Sequence, residues 1–247
     1  MDEKSQNSLS KKPVVSLEGV YKSFANQVIL QDISFQLTAG QSLCICGPNA
    51  AGKTTLLRII GGLLIATEGK VEICGFNVKT QPQKTRAMIG AIFHKSMVYP
   101  QLTVIENLQF FARLYGLKDN KLHIQKLMEQ TQLMPYRYDK VAILSRGMLQ
   151  RLAITRALVH NPSVLLADEP FAGLDAHATK HLVTILRSFK NRSRTVVMTT
   201  HNANFALQCC EQVAVLDNKK LIFNKKVSEI NITKFAQDYL WYARENN

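Results

Sequence analysis

The sequence predicts an α/β fold built on a mainly parallel sheet, and two observations favour this prediction. Short, nearly continuous apolar runs occur at Ser42–Cys46, Val164–Ala167 and Thr195–Met198, and such runs are typical of strands buried on both faces. Segments of helical periodicity lie between these runs, and strands that alternate with helices form parallel sheets. A chain of 247 residues, 46% of them hydrophobic, can bury a sizeable core under such a sheet.

The first third of the chain supplies the elements around the first buried run. Val14–Val20 and Ile33–Leu37 are predicted strands, and the second of them alternates apolar and polar positions. Thr54–Ile60 is a predicted helix, because glycines that favour a helix end follow it directly. Val71–Val78 is predicted to be a further strand or a hairpin.

A helical segment interrupts the alternation between about residues 100 and 160. Thr103 and Glu106 have the spacing of a capping box, in which each side chain bonds the backbone N–H of the other. One apolar stripe follows at Val104, Leu108, Phe111 and Tyr115. Helical periodicity then continues to His160, which predicts a mostly helical subdomain inserted between the strands.

Strands and helices alternate again after this insert. The apolar positions of the next predicted helix are Leu182, Ile185, Leu186 and Phe189. Val213–Leu216 and Leu221–Phe223 are predicted strands, and residues 229–247 are predicted to form a C-terminal amphipathic helix. Residues 1–12 are polar and are expected to form a flexible tail, which leaves residues 13–228 as one domain.

The composition excludes several classes of protein. No apolar stretch approaches the roughly 18–20 residues that cross a bilayer, and the polar start predicts that there is no signal peptide. The five cysteines are an odd number, and Cys44 and Cys46 lie on a predicted core strand. We therefore expect small core residues in a reducing compartment rather than a framework of disulfides.

The net charge of +13 predicts a polyanionic partner. Nucleic acid, an anionic membrane surface and a phosphorylated ligand all fit this charge, and a solvated basic face is the alternative. No basic stripe interleaved with aromatic residues is found, so we expect no nucleic-acid partner. Attraction to a phosphorylated ligand and to an anionic membrane surface fits the sequence better.

A phosphate-binding pattern, GxxxxGK(S/T), follows the first buried strand. Its residues are Gly47, Pro48, Asn49, Ala50, Ala51, Gly52, Lys53 and Thr54, with Thr55 next in the predicted helix. A strand before the loop and a helix after it are the context that this motif requires, and a plain strand–turn–helix is the alternative. Backbone N–H groups of such a loop surround phosphates, the Lys53 charge lies at the β and γ oxygens, and the Thr54 hydroxyl can hold Mg²⁺.

Two carboxylates follow the buried strand Val164–Ala167. Asp168 and Glu169 come at the carboxyl end of this strand, where open α/β sheets bind their ligands. We expect Asp168 to reach the Mg²⁺ shell and Glu169 to polarise the attacking water as a general base. Without the phosphate-binding loop, the same pair would more simply be a helix-capping turn.

Further motifs resemble those of the ABC-transporter ATPases. Leu144–Arg151 resembles the signature motif of that family, and Ala172–Asp175 is similar to its D-loop. Thr199–His201 resembles the segment that carries the switch histidine. Val20–Phe24 is similar to the A-loop, with Phe24 at the position that stacks on adenine.

The resemblance covers roughly residues 13–225 and implies the fold of a P-loop NTPase of the ABC type. That fold has a mainly parallel core sheet, an N-terminal antiparallel β part and a helical signature subdomain. The implied ligands are ATP and Mg²⁺. Lys53, Glu169 and His201 are the implied catalytic residues, and Asp175 belongs to the implied nucleotide site.

The resemblance also implies partners. In this family ATP lies between the phosphate loop of one chain and the signature motif of another, so a second ATPase subunit is expected, most simply in a homodimer. Ser145 and the N–H of Gly147 would then face the partner's γ-phosphate. Integral membrane transporter subunits are further implied partners, and the implied location is peripheral, on the cytoplasmic face of the inner cell membrane.

The chain departs from the family pattern at three places. Ala50 stands where glycine is usual, and a positive φ there would strain the loop and weaken nucleotide binding. Arg146 and Met148 replace the commoner glycine and glutamine of the signature motif. His94 takes the place of a glutamine that contacts Mg²⁺ or water, and we expect it to keep one hydrogen bond there.

One subfamily shares several of these features. The segments His94–Thr103, Glu106–Leu108, Phe111–Leu117 and Leu144–Met148 resemble the ATP-binding subunit of the haem exporter of cytochrome c maturation. This resemblance implies haem export. The alternatives are an ATPase subunit of a drug, lipid or polysaccharide exporter and, from another class, a soluble ABC ATPase associated with nucleic acid.

Overall fold

The computed structural model describes residues 12–93, 96–190 and 194–231, which contain two sheets and seven α-helices. The strands are β1 Val15–Phe24, β2 Gln27–Leu37, β3 Ser42–Cys46, β4 Glu68–Ile73, β5 Phe76–Asn77, β6 Ile89–Ile92, β7 Val164–Asp168, β8 Thr195–Thr199, β9 Gln212–Asp217 and β10 Lys220–Lys226. The helices are α1 Lys53–Ile60, α2 Pro82–Ala87, α3 Val104–Leu114, α4 Lys121–Gln130, α5 Arg146–Leu158, α6 Ala176–Lys190 and α7 Ala203–Cys209.

The two sheets have different strand directions. The N-terminal sheet is antiparallel and has the order β2-β1-β4-β5. The main sheet has the order β10-β9-β3-β8-β7-β6, and only its edge strand β10 runs antiparallel to its neighbour. This architecture confirms the predicted fold class, a mainly parallel core sheet with an antiparallel N-terminal part.

The main sheet separates two hydrophobic clusters, and β3 shows how one strand serves both. Leu43 and Ile45 are fully buried in the cluster shared with α1 and the N-terminal sheet. Cys44 and Cys46 are fully buried in the opposite cluster, which contains apolar residues of α3 to α6. A strand whose side chains alternate between two covered faces must be apolar at every position, which explains the continuous run seen in the sequence.

Four of the five cysteines are buried, as expected of core residues, whereas Cys74 is half-buried against the core. All five are free thiols. Burial raises the pKa of the Cys44 thiol well above its ordinary value, and the neighbouring thiols Cys210 and Cys46 act in the same direction. The Cys44 thiol therefore stays protonated at neutral pH.

The helical segment begins with the predicted capping box. The Thr103 hydroxyl accepts from the Glu106 N–H at 3.3 Å, and a Glu106 carboxylate oxygen accepts from the Thr103 N–H at 2.8 Å.

Two polar side chains of the helical segment, Arg156 and His160, contact the backbone of β6. Arg156 donates to the Ala91 carbonyl at 2.6 Å, and a ring nitrogen of His160 lies 3.0 Å from the Ile89 carbonyl oxygen. Burial lowers the pKa of His160 to about 4, so the ring is neutral at pH 7.

Three short elements were not predicted from the sequence. These are β6, α2 and α7, which have four, six and seven residues. The only buried residue of α2 is Thr85, so this helix has no apolar stripe to reveal it. Of the predicted C-terminal helix over residues 229–247, Glu229 ends a short 3-10 turn that starts at Val227, and residues 232–247 lie outside the described residues.

The predicted domain boundaries are not tested by these observations and stay a prediction. Among the residues that the structure describes, no helix is both long enough and apolar enough to cross a bilayer.

Candidate active site

The loop after β3 depends on two glycines. A Cβ atom at Gly47 would collide with the carbonyl oxygen of Leu216 on the neighbouring strand β9. Gly52 has φ 101° at the start of α1, and a Cβ atom there would crowd Leu30 and Ile29. Only glycine fits at both places, and the chain can therefore turn tightly from the strand into the helix.

Ala50 has φ 60°, a left-handed conformation that alanine rarely adopts. The sequence predicts strain in the loop if this position has a positive φ, and the position does have one. The side chain is exposed at the tip of the loop, so no packing contact offsets the backbone strain.

Replacing Ala50 with glycine is expected to stabilise the protein. A left-handed conformation costs a residue with a Cβ atom about 1 kcal/mol relative to glycine, which corresponds to a melting temperature higher by about 2–4 °C in a chain of this size. Calorimetric unfolding measures the shift. The matched control is Ala51→Gly, which should lower the melting temperature because that neighbour has no positive φ. A melting temperature of Ala50→Gly at or below that of wild type would contradict the assignment of strain.

Lys53 lies across the base of the loop. Its Nζ donates to the carbonyl oxygens of Gly47 and Pro48, both at 2.8 Å, and the side chain is buried. Burial lowers the pKa of the Lys53 ammonium, whereas the carboxylates of Glu169 and Asp168 favour its charged form. The first turn of α1 contains no acidic residue, so the positive end of the helix dipole and Lys53 together suit an anion.

Asp168, the last residue of β7, is joined to the loop by a hydroxyl. Thr54 Oγ1 donates to Asp168 Oδ2 at 2.8 Å, and Thr199 Oγ1 donates to Asp168 Oδ1 at 2.7 Å. Hydroxyl and carboxylate oxygens are the ligands that Mg²⁺ prefers, usually with phosphate oxygens and waters completing the shell. Among the described residues no group of three or more His, Cys, Asp and Glu could hold a metal ion.

Glu169 and His201 meet at the ends of two neighbouring strands. His201 Nδ1 lies 3.0 Å from Glu169 Oε2, and both side chains are accessible to solvent. Glu169 has φ 48°, and its N–H donates to the carbonyl oxygen and the hydroxyl of Thr199, at 3.2 and 3.1 Å. Strained backbone held by such bonds is common at functional sites.

The signature segment presents an uncovered helix start. Ser145 caps α5, and its Oγ accepts from the N–H of Met148 at 3.3 Å. A Cβ atom at Gly147 would meet nothing within 4 Å. Ser145 is exposed, so a ligand from outside the chain could approach the helix start beside Gly147.

Phe24 and Asp175 are two further residues of the predicted nucleotide site. Phe24 is 47% exposed, and Lys22 Nζ lies 4.7 Å from its ring centroid, which leaves ring surface for stacking. Asp175 Oδ1 accepts from the N–H of Ala178 at 2.8 Å, so it caps the start of α6. His94 lies outside the described residues, and its contact with Mg²⁺ or water stays a prediction.

The structure thus brings together the loop, Thr54, Asp168, Glu169 and His201. A cleft of about 390 Å³ borders the carboxylates and is lined by Phe93, Ser96, Arg146, Leu149, Gln150, Asp168, Glu169 and Ala172. The roles of Thr199, Arg146 and Gln150 here were missed in the sequence. Their contacts join residues that are far apart in the chain. Only Thr199, at the end of a predicted strand, had a position in the sequence that indicated a place in the site.

Comparison with known proteins identifies the family. The family model described as ABC transporter matches residues 30–172. The chain belongs to the ABC transporter family. The chain is accordingly an ABC ATPase, an enzyme that binds ATP.

Relatives of this ABC ATPase are named as export or transport proteins. It is 34% identical to Nod factor export ATP-binding protein I of Ralstonia nicotianae, over 88% of this chain and 68% of that protein. It is 31% identical to the ABC transporter ATP-binding protein NatA of Bacillus subtilis, over 85% of this chain and 86% of that protein. The chain thus spans about two thirds of the length of the Nod factor relative.

Solved structures agree with the fold of this ABC ATPase. A structure described as the ATP-binding subunit of an ABC transporter superposes with a TM-score of 0.85 at 24% identity, over 94% of this chain and 99% of that one. A dimeric ATP-binding cassette in a post-hydrolysis state, bound to ADP and Pi, has a TM-score of 0.77 at 28% identity. That alignment covers 86% of this chain and 98% of the other.

Proposed function

We propose that this chain is the ATP-hydrolysing subunit of an ABC exporter and that it works as a dimer beneath integral membrane subunits. The observation that carries this proposal is the contact between the phosphate-binding loop and the end of β7. The Thr54 hydroxyl bonds Asp168 at 2.8 Å, and the next residue, Glu169, lies 3.0 Å from His201. A hydroxyl and a carboxylate suited to Mg²⁺ thus lie beside a carboxylate that can act on water.

Each residue of this cluster has one role in the proposed reaction. Lys53 holds the β and γ oxygens of ATP, and Thr54 with Asp168 would hold Mg²⁺, which neutralises charge on those oxygens. Glu169 accepts a proton from the attacking water, because its carboxylate is accessible and the bond of its N–H to Thr199 fixes its backbone. His201 positions the Glu169 carboxylate and donates toward the γ-phosphate.

The number of motifs in one chain supports the proposed dimer. The chain carries one phosphate loop and one signature segment, and an outside ligand could approach the exposed Ser145 and the uncrowded Gly147 at the start of α5. Two chains in a head-to-tail arrangement would place ATP bound at one loop against the partner's signature helix. The dimeric solved relative bound to ADP and Pi supports this arrangement.

The proposed location is the cytoplasmic face of the inner membrane. The net charge of +13 supports attraction to an anionic leaflet, to which each nearby basic side chain contributes about 1 kcal/mol. In this arrangement the membrane subunits would supply the transport path.

Haem is the substrate that we propose for export. The signature residues Leu144–Met148 and the segment Phe111–Leu117 support it, through their resemblance to the haem-exporter subfamily. The relative named for Nod factor export favours the alternative, an exporter of another cargo. Both candidates share the ATPase described above and differ only in the membrane subunits.

Two measurements test the exporter and its cargo separately. Purification of the tagged chain from solubilised membranes should recover integral membrane proteins, which mass spectrometry identifies. In cells that lack the gene, covalently bound haem in c-type cytochromes should fall, and wild type but not Glu169→Gln should restore it. Recovery of membrane proteins without loss of cytochrome haem would exclude haem as cargo. A chain that recovers no membrane protein would contradict the exporter itself.

A further inference from the structure

The side chain of Arg146 connects the signature segment to the loop that follows the two carboxylates. Arg146 is the first residue of α5 and lies between Ser145 and Gly147. Its guanidinium donates to the Ala172 carbonyl oxygen at 3.5 Å. It also lies directly against Gly173, where a Cβ atom would collide with it.

Gln150 makes a second connection from the same face of α5. It lies one helical turn after Arg146, and residues four apart project from the same side of a helix. Gln150 Nε2 donates to the Pro170 carbonyl oxygen at 2.9 Å. Arg146 and Gln150 thus bond two carbonyls of the loop over residues 170–173, and both side chains line the cleft that contains Glu169.

The loop over residues 170–173 is firmly joined to Glu169. The Ala172 N–H donates to the Glu169 carbonyl oxygen at 3.1 Å. Phe171 is buried and stacks on Phe205 with ring centroids 4.4 Å apart. Packed and hydrogen-bonded contacts thus run without a break from α5 to the backbone of Glu169.

We propose that Arg146 and Gln150 are positioning residues that make the placement of Glu169 depend on the signature helix of the same chain. This proposal rests on the function proposed above. When the partner's ATP engages Ser145 and Gly147, α5 is fixed, and through Arg146 and Gln150 the chain's own Glu169 is fixed as well. Hydrolysis at one site of the dimer then depends on occupancy of the other, which is a coupling free energy between sites.

The test compares Arg146→Met, Gln150→Met, the double variant and Arg146→Lys in the purified full-length chain. The rate of ATP hydrolysis is measured against ATP concentration, and the affinity for ATP is measured separately by equilibrium binding. Arg113→Met is the matched control, because Arg113 is an exposed arginine of α3, elsewhere in the same helical segment.

Wild type is expected to hydrolyse ATP with a Hill coefficient above 1. Each methionine variant should lower kcat about tenfold, as misplacement of a catalytic group does, and should bring the Hill coefficient close to 1. Affinity for ATP should stay within about twofold, because neither side chain belongs to the proposed phosphate site. The double variant should lose less than the product of the two single losses, since both act on one loop. Arg146→Lys should recover part of kcat, and Arg113→Met should match wild type.

Three results would overturn the proposal. They are an unchanged kcat and Hill coefficient in both methionine variants, a lost affinity for ATP with kcat unchanged, and a wild-type Hill coefficient of 1. If Arg146→Met melts early, Gln150→Met decides the question, because it breaks the second connection alone. Failure of the proposed ATPase function gives a different result from failure of this coupling. In that case Lys53→Ala and Glu169→Gln would hydrolyse ATP as wild type does.

Discussion

Glu169→Gln is expected to give a dimer that binds ATP and does not hydrolyse it. The amide is close in shape to the carboxylate and leaves the loop and Lys53 intact, but it cannot accept a proton from water. Loss of a general base costs about 10²–10⁴-fold in rate. Size-exclusion chromatography with ATP and Mg²⁺ should show the dimer, and phosphate release should be lost.

The controls for Glu169→Gln distinguish an ATP-bound dimer from an aggregate. Wild type with ADP should elute as a monomer, and Glu169→Gln without nucleotide should do the same. Glu18→Gln, at an exposed carboxylate of β1, should behave as wild type in both assays. If Glu169→Gln elutes only as a monomer with ATP and Mg²⁺ present, either the base or the dimer has been assigned wrongly.

The parts of the site that were predictable from the sequence depend on local chemistry. The loop Gly47–Thr54 needs glycines and a lysine within eight residues, and the capping box needs only Thr103 and Glu106. The meeting of Asp168 with the loop was also foreseeable, because carboxyl ends of parallel strands lie at one edge of a sheet. Each of these inferences uses neighbours in the chain or a rule of sheet geometry.

The remaining features depend on strand order, which the sequence pattern does not contain. In the structure β3 lies beside β9, so Gly47 meets Leu216, and β8 lies beside β7, so Thr199 reaches Asp168. Asp175 was predicted to belong to the nucleotide site and also caps α6, a local role that a motif alone does not reveal. The link from Arg146 to Ala172 likewise joins two separate elements.

Lys53→Ala is expected to abolish turnover by a different route, the loss of nucleotide binding. The Nζ atom bonds two loop carbonyls at 2.8 Å, so its removal loosens the loop and takes away the charge that faces the phosphates. ATP affinity should fall by at least about tenfold, the effect of roughly 1.4 kcal/mol, whereas Glu169→Gln should keep it. Phosphate release and equilibrium binding of ATP together measure both effects.

Stability separates a lost function from a lost fold in the Lys53→Ala variant. Burial lowers the pKa of Lys53, so the folded chain holds this ammonium at a cost in free energy that alanine removes. The melting temperature should therefore stay within about 3 °C of wild type, although two hydrogen bonds are lost. Lys126→Ala, at an exposed position of α4, is the matched control and should keep both turnover and ATP affinity. A Lys53→Ala chain that hydrolyses ATP near the wild-type rate would refute the role of this lysine, because a folded loop without its charge would then suffice.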